Sequence, residues 1–175
     1  MMLKAEHVVL TPLGIEDLPT LYLWINDREQ VLFNAPYKPV HESQHRAWFE
    51  AIQQRNDVVI FGIRLLKTNK LIGSCQLHSI SNIHRSAELQ IRIGDIVEQD
   101  KGYGTEAVSL LLKHAFNDLN LHRVYLHVFN TNTRALHVYE KIGFEIEGML
   151  REAVYIDGKY IDVAVMRIMR DEYEY

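Results

Sequence analysis

The stretch Gln99-Asp100-Lys101-Gly102-Tyr103-Gly104-Thr105 constrains this chain more than any other part of it. Before it, Ala87-Glu88-Leu89-Gln90-Ile91-Arg92-Ile93 alternates with a period of two, as a half-buried strand does. After it, Ala107, Leu110, Leu111, His114 and Ala115 recur at three and four, the stripe of a helix laid on a sheet. The chain must therefore pass from strand to helix through two closely spaced glycines. A turn of this kind leaves backbone N–H groups unpaired at the positive end of a helix dipole. That arrangement suits a bound phosphate, and glycine admits a close backbone approach that a Cβ would prevent. A tight turn with a helix cap satisfies the same residues equally well. Two familiar nucleotide loops are excluded, because no Gly-Lys-Ser/Thr follows at P-loop spacing and the third glycine of the dinucleotide motif is missing.

A second block narrows the choice. It reads His127-Val128-Phe129-Asn130-Thr131-Asn132-Thr133-Arg134-Ala135-Leu136-His137-Val138-Tyr139-Glu140-Lys141-Ile142-Gly143-Phe144. Asn132 is a good N-cap, Ala135, Val138, Tyr139 and Ile142 make an inward stripe, and Gly143 is the expected left-handed terminator. Taken together, the two segments resemble the GNAT superfamily of acetyl-CoA-dependent N-acetyltransferases. The first is similar to its Gln/Arg-x-x-Gly-x-Gly/Ala pyrophosphate loop, the second to its Asn-x-x-Ala-x-x-x-Tyr-x-Lys-x-Gly-Phe block. Within the superfamily the chain looks most similar to the branch of ribosomal-protein alanine/serine acetyltransferases and bacterial spermidine acetyltransferases.

The resemblance implies acetyl-CoA as co-substrate, with no metal. Its pantetheine arm would pair with the backbone of Ile91, Arg92 and Ile93 like an added strand, which does not require the Arg92 guanidinium. Gln99, Asp100, Lys101, Gly102, Tyr103, Gly104 and Thr105 would cradle the pyrophosphate. Asn132, Ala135, Tyr139 and Lys141 complete the cofactor set, with Asn132 both capping its helix and bonding the pantetheine amide. Tyr139 matches the family tyrosine whose phenol protonates the leaving thiolate; a core tyrosine on the helix stripe would have the same spacing. Glu88, mid-strand beside the cofactor-pairing residues, is the candidate base, acting directly or through water, and would also touch substrate. An exposed or structurally paired carboxylate is the alternative for it. Trp24, Phe33, Asn34, Tyr37, Trp48 and Tyr155 are candidates for the acceptor pocket, mixed between pocket and core. Spermidine enzymes carry acidic residues in the loop that here reads Phe33-Asn34-Ala35-Pro36-Tyr37-Lys38, which has none. That departure weakens a polyamine acceptor without removing it, so a small-molecule amine (polyamine, amino sugar or antibiotic) and a protein N-terminus both stay open. The rival reading is a non-catalytic acetyl-CoA-binding regulatory module.

Bulk properties set the remaining bounds. A chain of 175 residues reads as a single domain able to bury a substantial core. The net charge of -4 is scattered, so no basic face advertises nucleic acid. No apolar run approaches the roughly twenty residues that span a bilayer, and the first residues show no signal-peptide pattern. One cysteine, Cys75, excludes an internal disulfide and fits a reducing cytoplasm; its setting in Leu71-Ile72-Gly73-Ser74-Cys75-Gln76-Leu77 reads as a buried strand. His41 and His45 have chelating spacing, but nothing recognisable completes a ligand set. Small amine or protein N-terminus is the expected partner, and a homodimer is allowed.

Periodicity predicts strands over residues 5–11, 58–66, 71–80, 86–93, 122–129, 144–156 and 160–169. It predicts helices from Asp17 past Ile25 and over 42–54, 104–118 and 132–142, with an irregular stretch over 28–39. The expected class is mixed α/β (α+β) with the GNAT-type acyl-CoA N-acyltransferase fold, a central, largely antiparallel twisted sheet flanked by helices.

Overall fold

A computed structural model describes residues 2–173. Of the first expected strand only β2 (Val8–Thr11) is extended; residues 5–7 turn back from β1 (Leu3–Lys4), which precedes the expected range, and Ala5 N–H donates to Val8 O at 2.9 Å. A 3-10 turn at Ile15–Asp17 leads into α1 (Leu18–Ile25), and α2 (Arg28–Val31) interrupts the stretch expected to be irregular. Asp27 makes that extra turn, because its carboxylate accepts from Gln30 N–H and caps a new helix start. Next come α3 (Glu42–Ile52), β3 (Val59–Leu65), β4 (Leu71–Ser81) and β5 (Ser86–Ile93). The expected long helix is α4 (Tyr103–Lys113), whose continuation at His114–Asp118 is π-wound. The chain finishes with β6 (Arg123–Phe129), α5 (Thr133–Ile142), β7 (Glu145–Ile156) and β8 (Lys159–Met169).

The strands form one sheet in the order β1-β2-β3-β4-β5-β6-β8-β7. Every neighbouring pair is antiparallel except β5 and β6, which a crossover through α4 makes parallel. The core lies between α4 and the sheet, where Leu77, Leu111, Leu126 and Met166 are fully buried. Removing each such side chain from water contributes about 1.5–3 kcal/mol. On the opposite face sit α1 and α3. They leave the side chains of Ser74, Gln76, Gln90 and Arg92 facing a cavity rather than a packed layer.

One buried ion pair ties α1 to the sheet. Arg64 Nη2 donates to both carboxylate oxygens of Asp17 at 2.7 Å, and its Nε donates to Thr11 Oγ1 at 3.0 Å. Both side chains are largely withdrawn from water. Asp17→Ala is expected to cost about 3 kcal/mol, because Arg64 is left charged, buried and unpaired. Urea unfolding should show this as a lower midpoint at an unchanged slope. A loss below about 1 kcal/mol would mean that solvent already screens the pair as it does at a surface.

Candidate active site

The parallel pairing of β5 with β6 stops early. Ser86, Ala87 and Glu88 pair with Arg123, Val124 and Tyr125, and beyond that point β5 continues against β4 alone and β6 against β8 alone. The sheet is therefore parted at its centre, and the edge of β5 from Leu89 to Ile93 faces the gap. An unpaired strand edge offers N–H and C=O groups to an extended partner. Gln99 closes one end of this edge, its Nε2 donating to Ile93 O at 2.8 Å and to Gln30 Oε1 at 2.9 Å.

The glycine loop stands beyond that end. Gly102 caps α4 with φ at +83°, a left-handed conformation that glycine adopts at little cost. The amides of Tyr103, Gly104 and Thr105 fall in the first helical turn and have no partner within the helix. A Cβ built on Gly104 would meet nothing closer than Ile93 Cγ1 at 3.8 Å and Ile91 Cδ1 at 4.0 Å. The fold therefore has room for a side chain there, and the open space is what a ligand's phosphates require. Around the loop, Lys101 pairs with Glu98 at 3.1 Å and Asp100 with Arg134 at 2.8 Å, both at the surface. Gly104→Val is expected to weaken acetyl-CoA binding about tenfold or more, a change of at least ~1.4 kcal/mol in calorimetry. The unfolding midpoint should stay where it is, and equal affinity would show that phosphate does not approach this backbone.

A cavity of about 500 Å³ opens beside the gap. Tyr139 enters it from α5, held by the way that helix ends. Gly143, at φ +123°, accepts a reversal that most residues resist, and Phe144 N–H donates back to Tyr139 O at 3.0 Å. The turn packs Phe144, buried, against the Tyr139 ring at 5.7 Å between centroids. Burial pushes the Tyr139 phenol up to about 12, so the hydroxyl stays protonated at neutral pH. At the other end of α5, Asn132 Oδ1 accepts from Ala135 N–H at 3.2 Å, while Lys141 points to solvent.

Glu88 is placed differently from the sequence expectation. It does not line the cavity. Its Oε1 binds His127 Nδ1 in a short contact, and its Oε2 lies 3.2 Å from His78 Nε2, a buried nitrogen too poorly aligned for a hydrogen bond. His127 stands in front of it in the cavity wall, with its side chain 41% exposed against 15% for Glu88. The imidazole therefore stands between the cavity and the carboxylate. A carboxylate on Nδ1 favours the tautomer with the proton there and leaves Nε2 to accept one. Sequence reading placed His127 only on a strand. The signal present was a polar residue on the same face as Tyr125, between buried Leu126 and Val128.

Of the proposed acceptor residues, Phe33, Asn34 and Trp48 line the cavity. Trp24, Tyr37 and Tyr155 do not. Trp24 lies against Gly94, where a Cβ would come within 2.1 Å of its ring, and Tyr155 sits on the β7–β8 hairpin stacked edge-on with Tyr160. His45, which sequence reading considered only as a metal ligand, is buried in the wall and stacked on Trp48 at 5.2 Å. Burial lowers its pKa, which keeps the ring neutral at pH 7. Cys75 also borders the cavity, but burial pushes its thiol pKa up and keeps it from forming the reactive thiolate.

A mostly antiparallel sheet parted at one parallel pair, with a glycine-turned helix start at the mouth of the gap, defines an acyl-CoA-dependent transferase fold. Residues 7–145 match the acetyltransferase (GNAT) domain family, and the chain belongs to it as an acetyltransferase enzyme. It is similar to the spermidine N(1)-acetyltransferase of Vibrio cholerae serotype O1, 37% identical over 147 residues that cover 84% of this chain and 75% of that protein. A putative ribosomal N-acetyltransferase of Bacillus subtilis (strain 168) is 33% identical over 174 residues, covering 97% and 94%. The crystal structure of spermidine N-acetyltransferase from Vibrio cholerae in complex with CoA and spermine superposes with a TM-score of 0.88 at 34% identity, covering 95% of this chain and 97% of that one. These relatives are named as enzymes, which disfavours the binding-module alternative.

Proposed function

We propose that the chain moves the acetyl group of acetyl-CoA directly to a primary amine bound beside it in a ternary complex. The observation that carries this reading is the pairing of Tyr139 and His127 in one cavity next to the parted strands. Acetyl-CoA would lie along β5 at Ile91–Ile93 with its phosphates at 99–105, and it supplies an activated acetyl thioester. His127, held by Glu88, takes the proton that the amine must lose as its nitrogen bonds to the acetyl carbon. Tyr139 donates its phenolic proton to the sulfur as the carbon–sulfur bond breaks. The neutral, buried Cys75 argues against an acetyl-cysteine intermediate.

The acceptor is a small-molecule amine or a protein N-terminus. Spermidine is the acceptor in the names of relatives, but the wall of this cavity holds no carboxylate among the described residues. Calorimetry with acetyl-CoA and desulfo-CoA, followed by CoA release against a panel of amines, tests the reading. No binding at hundred-micromolar ligand would remove it, and binding without CoA release from any amine would restore the binding-module alternative.

No helix among the described residues is long and apolar enough to cross a membrane. A single cysteine, buried rather than exposed, suits a reducing cytoplasmic setting. Edge strand β7 exposes Ile146 and Leu150, which supports a homodimer; light scattering checks that assembly.

A further inference from the structure

Three cross-strand pairs carry the polar face beneath the cavity: Ser74 opposite Arg92, Gln76 opposite Gln90, and His78 opposite Glu88. On β5 these residues alternate with Leu89, Ile91 and Ile93, and the last two approach Gly104 on α4. Arg92 therefore points away from α4 and its phosphate loop, toward the side roofed by α1 and α3. It is the only wall residue among those described that carries a permanent charge; the wall contains no Asp, Glu or Lys.

No hydrogen bond or ion pair ends on the Arg92 guanidinium among the described residues. Every other arginine has an oxygen partner. Arg28, Arg46, Arg55, Arg64, Arg123, Arg134, Arg151 and Arg167 hold carboxylates, and Arg85 and Arg170 hold Asn120. A guanidinium in a cavity wall with all its donors free is costly unless something arrives to pair with it. The neighbouring titratable groups do not oppose an anion, because His45 is neutral by burial and Glu88 is engaged by His127.

We propose that the acetyl acceptor is a small primary amine that also carries a carboxylate, which Arg92 receives while the amine faces His127. This rests on the reading of the cavity as the acceptor site. A carboxylate matches the guanidinium fork with two parallel hydrogen bonds. A polyamine would instead bring a second cation to Arg92 with no anion to offset it.

Matched amines test this on the wild-type enzyme by CoA release. Each pair shares a chain and differs only in a terminal carboxylate or a terminal methyl group, with spermidine and Ala- and Ser-starting peptides as further arms. The carboxylate member should show the lower KM by about 10–100-fold, the range expected for charge-assisted hydrogen bonds. In Arg92→Gln the KM ratio within each pair should fall toward one, and Arg92→Lys should retain part of it. Equal KM values within pairs on the wild type, a ratio unchanged in Arg92→Gln, or preference for spermidine would overturn the inference while leaving the transferase reading intact. Turnover of peptides but not of free amino acids would overturn it in favour of a protein N-terminus. Should Arg92→Gln fail to fold, the wild-type comparison decides alone. Failure of every amine would strike the transferase reading instead, and is told apart by acetyl-CoA calorimetry on the same preparation.

Discussion

Tyr139→Phe is expected to lower turnover by about 10²–10⁴-fold, the span of general acid catalysis, with acetyl-CoA affinity nearly unchanged. Only the phenolic oxygen is lost. The ring keeps its contact with Phe144, and the Gly143 turn that fixes the end of α5 is untouched. The pH profile supplies an independent check. The acid must be protonated to act, and burial raises its pKa to about 12, so activity should persist through pH 10 and fall only as pH rises toward 12. A basic limb near pH 10 would describe a solvated tyrosine. A turnover loss below about threefold, far short of general acid catalysis, would mean that water protonates the leaving sulfur.

His127→Gln should lower the rate by about 10²-fold at neutral pH, because the amine must then shed its proton unaided. The loss should shrink as pH rises above about 9, where a growing fraction of a typical amine is already neutral. Glu88→Gln acts through the imidazole, so its loss should follow the same pH course at smaller amplitude. Acetyl-CoA binding should be unaltered in both. If Glu88→Gln were severely impaired and His127→Gln were not, the carboxylate itself, acting through water, would be the base.

Element types were largely legible in the chain. Alternation over 86–93, the glycine stop at Gly143 and the apolar stripe of α4 are local patterns, and each reports which side of a strand or helix is apolar. The misses were also local in cause. Residues 3–11 hold two short strands around a polar turn too brief to break the alternation, and the Asp27 cap is one hydrogen bond in a stretch with no helical stripe of its own. Roles in the site were less legible. Trp24 and Tyr155 are as aromatic as Trp48, yet one lies against Gly94 and the other on the far hairpin.

The order of motifs, the strand-loop-helix that leaves amides free near Gly104, and the capped helix carrying Tyr139 belong to the sequence by itself, because each depends on neighbours within one or two turns of chain. Which residues face each other across the sheet was decided only in three dimensions. Glu88 and His127 are 39 positions apart and meet because β5 and β6 run parallel for three residue pairs before diverging. The same divergence opens the gap, and the register of β4 on β5 sets Arg92 opposite Ser74, where no carboxylate among the described residues pairs with it. Period two states that Arg92 and Glu88 share a face of one strand; it carries no information about what the neighbouring strands bring to that face, since register comes from long-range packing.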